Sequence, residues 1–134
     1  MPVASEDSED AAAATTFTGT VNLTITITLK TTGLSNISCS ESISVTDGTT
    51  SPRFFEESNS VTATGTGTTR TCKLSIPYSW ALTNQSTDNM DTGYGVTGLS
   101  TTGLPERTSG LTPMDVRKVP ANGTITTLTA AVTL

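Results

Sequence analysis

Across residues 17–30 the chain alternates without a fault. Phe17, Gly19, Val21, Leu23, Ile25, Ile27 and Leu29 fall on one set of positions, and Thr18, Thr20, Asn22, Thr24, Thr26, Thr28 and Lys30 on the other. A period of two held over this length is a β-strand with one face buried and one in water, because successive side chains of an extended chain point to opposite sides. No helix gathers these apolar residues on one face. At about 3.3 Å per residue the strand would run on the order of 45 Å, well past the usual five or six residues. That length predicts either a bend at Gly19 or a segment that projects beyond its own domain.

The same period recurs downstream. Ile37, Cys39, Ile43 and Val45 alternate with Ser38, Ser40, Ser42 and Ser44, and Glu41 breaks the inward set. A carboxylate on that face predicts the edge or end of a sheet, where inward charge discourages pairing with another molecule. Residues 47–57, DGTTSPRFFEE, read as a loop from their Asp-Gly and Ser-Pro punctuation. They hold Phe54 and Phe55 side by side, and neighbours in an extended chain face opposite ways, so one of these rings is a candidate contact with a partner. Val61 and Ala63 precede the clearest core strand, in which Cys72, Leu74, Ile76, Tyr78 and Trp80 alternate with Thr71, Lys73, Ser75, Pro77 and Ser79. Pro77 cannot donate to a ladder and places that position at an edge or bulge. Met90, Tyr94 and Val96 suggest a further strand, and residues 100–113 a long surface loop. Val116 and Val119 suggest a short strand stopped by Pro120, and Leu128, Ala130, Val132 and Leu134 alternate inward at the end.

Six or seven such segments with no helical pattern predict an all-β domain, an antiparallel β-sandwich of immunoglobulin-like architecture with about seven strands. The antibody-type signature is absent, since Trp80 follows both cysteines instead of lying between them. With 134 residues the chain has the size of one domain. The expected division is a flexible, acidic and Ala-rich arm over residues 1–15 and a single sandwich over 16–134. Ser and Thr make up roughly a third of the chain, and β-branched Thr suits strands.

The net charge of -5 is concentrated at the start, where Glu6, Asp7, Glu9 and Asp10 precede a nearly neutral body. Such a body offers no basic footprint for a phosphate backbone, so nucleic acid is not an expected partner. No apolar run approaches the length of a membrane helix, and no insertion is expected. The start lacks the basic and apolar regions of a signal peptide, which predicts cytosolic synthesis unless a leader once preceded the Ala run at residues 11–14.

Histidine is absent. That removes the usual general base, the commonest metal ligand and every Ser-His or Cys-His arrangement, and predicts a protein that is not an enzyme and carries no cofactor. Carboxylate pairs such as Glu56 with Glu57, or Glu106 with Asp115, lie by loops with nothing apolar arranged to raise one pKa, and read as solvated charge. Cys39 and Cys72 both point inward and are candidates for a disulfide, with buried free thiols as the equal alternative; two cysteines without His complete no zinc site. The stretch STDNMDTG places Asp88, Asn89 and Asp91 within reach of one hard cation but lacks the spacing of a calcium loop, so a plain turn is expected and no metal. Tyr78 and Trp80 alternate with core residues and read as core, not as a sugar platform. Asn-x-Ser/Thr matches at Asn22, Asn36, Asn84 and Asn122 arise by chance in so Ser- and Thr-rich a chain.

The expected function is therefore non-catalytic: a structural subunit that self-associates through its termini or joins other subunits, such as a phage virion decoration or tail component. The alternatives are a secreted or cell-surface adhesion or filament module, and a carbohydrate-binding module.

Overall fold

The computed structural model describes residues 14–31, 33–48, 50–109 and 113–134, apart from the side chains of 106–109. The described residues form eight strands: β1 (Thr15–Thr28), β2 (Ser35–Asp47), β3 (Arg53–Thr62), β4 (Thr69–Leu82), β5 (Asn89–Leu99), β6 (Pro105–Ser109), β7 (Asp115–Lys118) and β8 (Thr124–Thr133). Among the described residues there is no helix. One sheet has the order β4-β1-β8; the other has the order β3-β2-β5-β6, with β7 also pairing β5.

The period-two segments become these strands because each has one apolar face to bury. β1 and β2 lie in different sheets, as do β4 and β5, while β1 pairs β4 and β2 pairs β5. The central strands are thus interlocked, and the inward faces of both sheets enclose one core. That core contains Val21, Leu23, Ile25 and Ile27 of β1, Ile37, Ile43 and Val45 of β2, Leu74, Ile76, Tyr78, Trp80 and Leu82 of β4, Met90 and Val96 of β5, and Leu128 and Val132 of β8. Tyr78 stacks on Trp80 with ring centroids 4.5 Å apart.

Four expectations are corrected. The long first strand neither projects nor is left unpaired. β4 is of equal length and pairs it from Thr15↔Leu82 to Thr28↔Thr69, and β8 runs parallel along its other side from Gly19↔Thr124 to Thr28↔Thr133. Gly19 serves packing here, since a Cβ at this position would fall on the Tyr78 phenol and the Thr124 carbonyl. Second, most of the expected loop at residues 47–57 is strand: Asp47 ends β2, and β3 begins at Arg53, where its pairing with β2 outweighs the turn signals. Third, the expected loop at 100–113 contains β6, paired with β5 from Leu99↔Pro105 to Gly95↔Ser109. Fourth, Glu41 is at no edge. β2 lies between β3 and β5, with Glu41 opposite Asn59 on one side and Tyr94 on the other. The arm expected at residues 1–15 lies outside the described residues as far as residue 13, and Thr15 already belongs to β1.

Candidate functional site

Two regions of the sandwich hold chemistry that packing alone does not require: the end where β2, β4 and β5 meet their loops, and the outer edge of β8.

At the end of the sandwich, the last residue of β2, Asp47, is buried and directs its carboxylate at the turn that follows β4. Its oxygens accept hydrogen bonds from the Thr83 amide (2.9 Å), the Thr83 hydroxyl (3.0 Å), the Asn84 amide (3.1 Å) and the Arg53 guanidinium (3.2 Å). Asp88, just before β5, is 6 % exposed, accepts from the Gly48 amide (3.2 Å) through Oδ1, and has its carboxyl in contact with that of Asp47. Burial works to raise both pKa values. For Asp47, hydrogen bonds from the Asp88 carboxyl and from Thr83 and Asn84 outweigh burial and hold it at about 2. For Asp88, burial, the hydrogen bond to Asp47 and the Asp47 charge together push it up to about 6, against the Gly48 amide and Lys118. A recess of about 430 Å³ opens beside this pair, lined by Thr46, Asn84, Thr87, Asp88, Asn89 and Asp91. The two sequence candidates Asp88 and Asp91 therefore share one recess. Among the described residues no three acidic or cysteine side chains gather closely enough to form a metal cluster by themselves.

The edges of the two sheets are not alike. β3 carries Arg53, Glu56 and Glu57. The open side of β4 is covered from across the sandwich: Asn59 Nδ2 donates to the Ser75 carbonyl (3.1 Å) and Arg53 Nη2 to the Ala81 carbonyl (2.6 Å), while Thr64 and Thr71 exchange backbone bonds. β6 and β7 are short and carry Pro105, Glu106, Arg107, Asp115, Arg117 and Lys118. β8 has none of these guards. Its sequence TITTLTAAVT contains no charge, proline or glycine, and among the described residues only β1 pairs with it. Ile125 on its outward face is 67 % exposed. A long, uncharged edge of this kind is a template for strand addition.

The remaining candidates are placed as follows. Cys39 of β2 and Cys72 of β4 form a disulfide between the sheets, with Cα atoms 6.3 Å apart. Phe54 is 63 % exposed, on the outer face of its sheet beside Thr46. Phe55 turns to the core edge, 6.4 Å from Trp80 between ring centroids and 5.3 Å from the Arg53 guanidinium carbon. Tyr78 and Trp80 are buried and offer no sugar platform. Glu56 and Glu57 follow one another on β3, and Asp115 is paired with Arg117 (2.7 Å), so neither assembles a carboxylate dyad. Glu106 lies on β6, and its side chain is outside the described residues. Glu41 is 1 % exposed with both oxygens unpartnered, and burial pushes its pKa up to about 7. Sequence reasoning missed Asp47, because its Asp-Gly context reads as a turn. Nor does spacing reveal that Thr83 and Asn84, two adjacent turn amides 36 and 37 residues further along, need that acceptor.

Comparisons with family models, with curated proteins and with solved structures return no match.

Proposed function

We propose that this domain is a non-catalytic structural subunit that builds a larger assembly by pairing β8 with the β8 strand of a second copy. The observation that carries this reading is the contrast among edges: three are charged, short or capped by side chains, and the C-terminal one is bare. Pairing bare edges satisfies backbone groups that are otherwise left to water, and two β8 strands meeting antiparallel give a self-complementary, two-fold interface. The interlocked β1–β4 and β2–β5 pairs support an immunoglobulin-like reading of the sandwich, an architecture widely used for modules of this kind.

Two settings fit such a subunit, a phage virion and a cell surface. The Cys39–Cys72 disulfide favours a compartment or surface in which disulfides persist, and so raises the secreted adhesion or filament module beside the virion component. Sedimentation of the intact chain at tens of micromolar tests the assembly itself. Concentration-dependent dimers or chains are expected, and the double variant Thr127→Lys, Thr129→Lys should sediment as a folded monomer, because like charges then oppose each other across the paired edges. A wild-type chain that stays monomeric throughout would overturn the reading.

A further inference from the structure

Asp47 and Asp88 are 2 % and 6 % exposed, and their carboxyls are in contact. Two buried carboxylates side by side do not both stay ionised, because the charge on one raises the other's affinity for a proton. The hydrogen-bond donors around the pair decide which one keeps it. Asp47 receives the Thr83 amide and hydroxyl, the Asn84 amide and the Arg53 guanidinium, all of which favour its charged form. Asp88 receives the Gly48 amide at Oδ1. Its Oδ2 is buried and is offered no N–H or hydroxyl among the described residues, so this oxygen is satisfied as a donor, through its own O–H to Asp47.

We propose that Asp88 and Asp47 share one proton and that this carboxyl–carboxylate bond is a pH-operated latch, which holds the turn at residues 83–88 to the end of β2 and loosens when the proton leaves. The same turn has ties further along the chain. Gln85 Nε2 donates to the Val119 (2.6 Å) and Pro120 (3.2 Å) carbonyls, and the Val119 amide donates to the Asp88 carbonyl (3.1 Å). The latch thereby steadies the link between β7 and β8 as well. The charges facing the pair come from three strands. Arg53 of β3 lies on Asp47, Asp91 of β5 shares the recess, and the Lys118 ammonium of β7, directed at the Thr87 carbonyl (3.1 Å), favours ionised Asp88. Asp115 and Arg117 of β7 are paired with each other. Asp88, at about 6 in the fold against an ordinary 3.8, makes the latch complete below pH 3.8; the hold is lost as pH rises toward 6 and changes little above that. Asp47, held at about 2, remains the charged acceptor across this range.

The test is amide hydrogen exchange read by NMR on the full chain from pH 4.5 to 7.5, corrected for the intrinsic pH dependence of exchange and referred to Ile25 in the central strand β1. Protection at Thr83, Asn84 and Val119 should fall roughly tenfold relative to Ile25 between pH 5 and 7.5, as a shift of this size requires. Asp88→Asn keeps an N–H toward Asp47 and an oxygen toward the Gly48 amide at every pH, so the same amides should stay protected throughout. In the unaltered chain the Asp88 carboxyl carbon should titrate near pH 6 and move the Thr83 amide signal with it. Protection that does not change with pH overturns the latch. So does an equal fall in Asp88→Asn, or an Asp88 carboxyl that titrates in the ordinary carboxylate range.

Discussion

The side-chain amide of Asn59 donates to the main-chain carbonyl of Ser75, 3.1 Å away on a strand of the opposite sheet. Asn59 thus serves as a stand-in strand for β4, satisfying an acceptor on an edge that no neighbouring strand covers among the described residues. Asn59→Ala removes the donor and leaves the carbonyl to water. The expected cost is about 1 kcal/mol by urea titration. It should come with a rise in aggregation on prolonged incubation, followed by light scattering, because a second edge has been opened. A variant as stable and as disperse as the wild type would show that the bond does not guard β4.

The Cys39–Cys72 bond joins positions 33 residues apart in different sheets. In the chain-entropy model, opening a loop of that size costs about 3–4 kcal/mol. Denaturant titration of the Cys39→Ala, Cys72→Ala protein should show that loss, with the midpoint insensitive to added reductant. The wild-type midpoint should fall on reduction.

Glu41 gives the domain an inverted response to pH. Its folded-state pKa of about 7 exceeds the unfolded value of 4.5, so the folded chain holds the proton more tightly. Its contribution is complete below pH 4.5, is lost as pH rises toward 7, and changes little above that. Glu41→Leu should remove the part of this slope between pH 6 and 7, leave the part that Asp88 contributes below it, and stabilise the domain at pH 8 by about 3 kcal/mol, with little change at pH 4. Equal gains at both pH values would assign the effect to packing and not to ionisation.

Trp80 is the largest of the fully buried side chains and is stacked against Tyr78. Trp80→Ala should cost about 3–5 kcal/mol. Loss of dispersion in the proton NMR spectrum or a collapsed unfolding transition would report it, whereas a loss under 1 kcal/mol would place the stabilising core elsewhere.

The sandwich was legible wherever one residue in two was apolar. Leu23, Ile25, Ile27, Leu74, Ile76 and Trp80 could be assigned inward from spacing alone, since a period of two has only one buried side. What spacing does not carry is which strand lies beside which. The length of β1 looked excessive only because β4, interrupted to the eye by Pro77, was not recognised as its equal partner. β3 hid for another reason: RFFEESNS has no alternation, because it is an edge strand whose stability comes from β2 and not from a buried face. Glu41 misled by the ordinary rule that charge avoids a core. At the end of the sandwich, Asp88 and Asp91 were visible as a local cluster, but Asp47 joins them only through the fold, from forty-one residues before Asp88 by chain position.

β8 closes its sheet by running parallel to β1, the earliest of the described strands in the chain, with the other described strands synthesised in between. The order of synthesis therefore opposes the order of pairing. While the chain emerges, β1 and β4 can join, but the flank of β1 reserved for β8 stays open until the end. Closing it brings together the most distant parts of the domain, a step that slows folding in proteins dominated by non-local contacts. During that interval a second nascent chain presents the same open flank and, soon after, the same late strand. Exchange of β8 between two such chains makes the same contacts as closure within one. Intertwined dimers are therefore the expected by-product of refolding at high concentration, and dilution during refolding should suppress them.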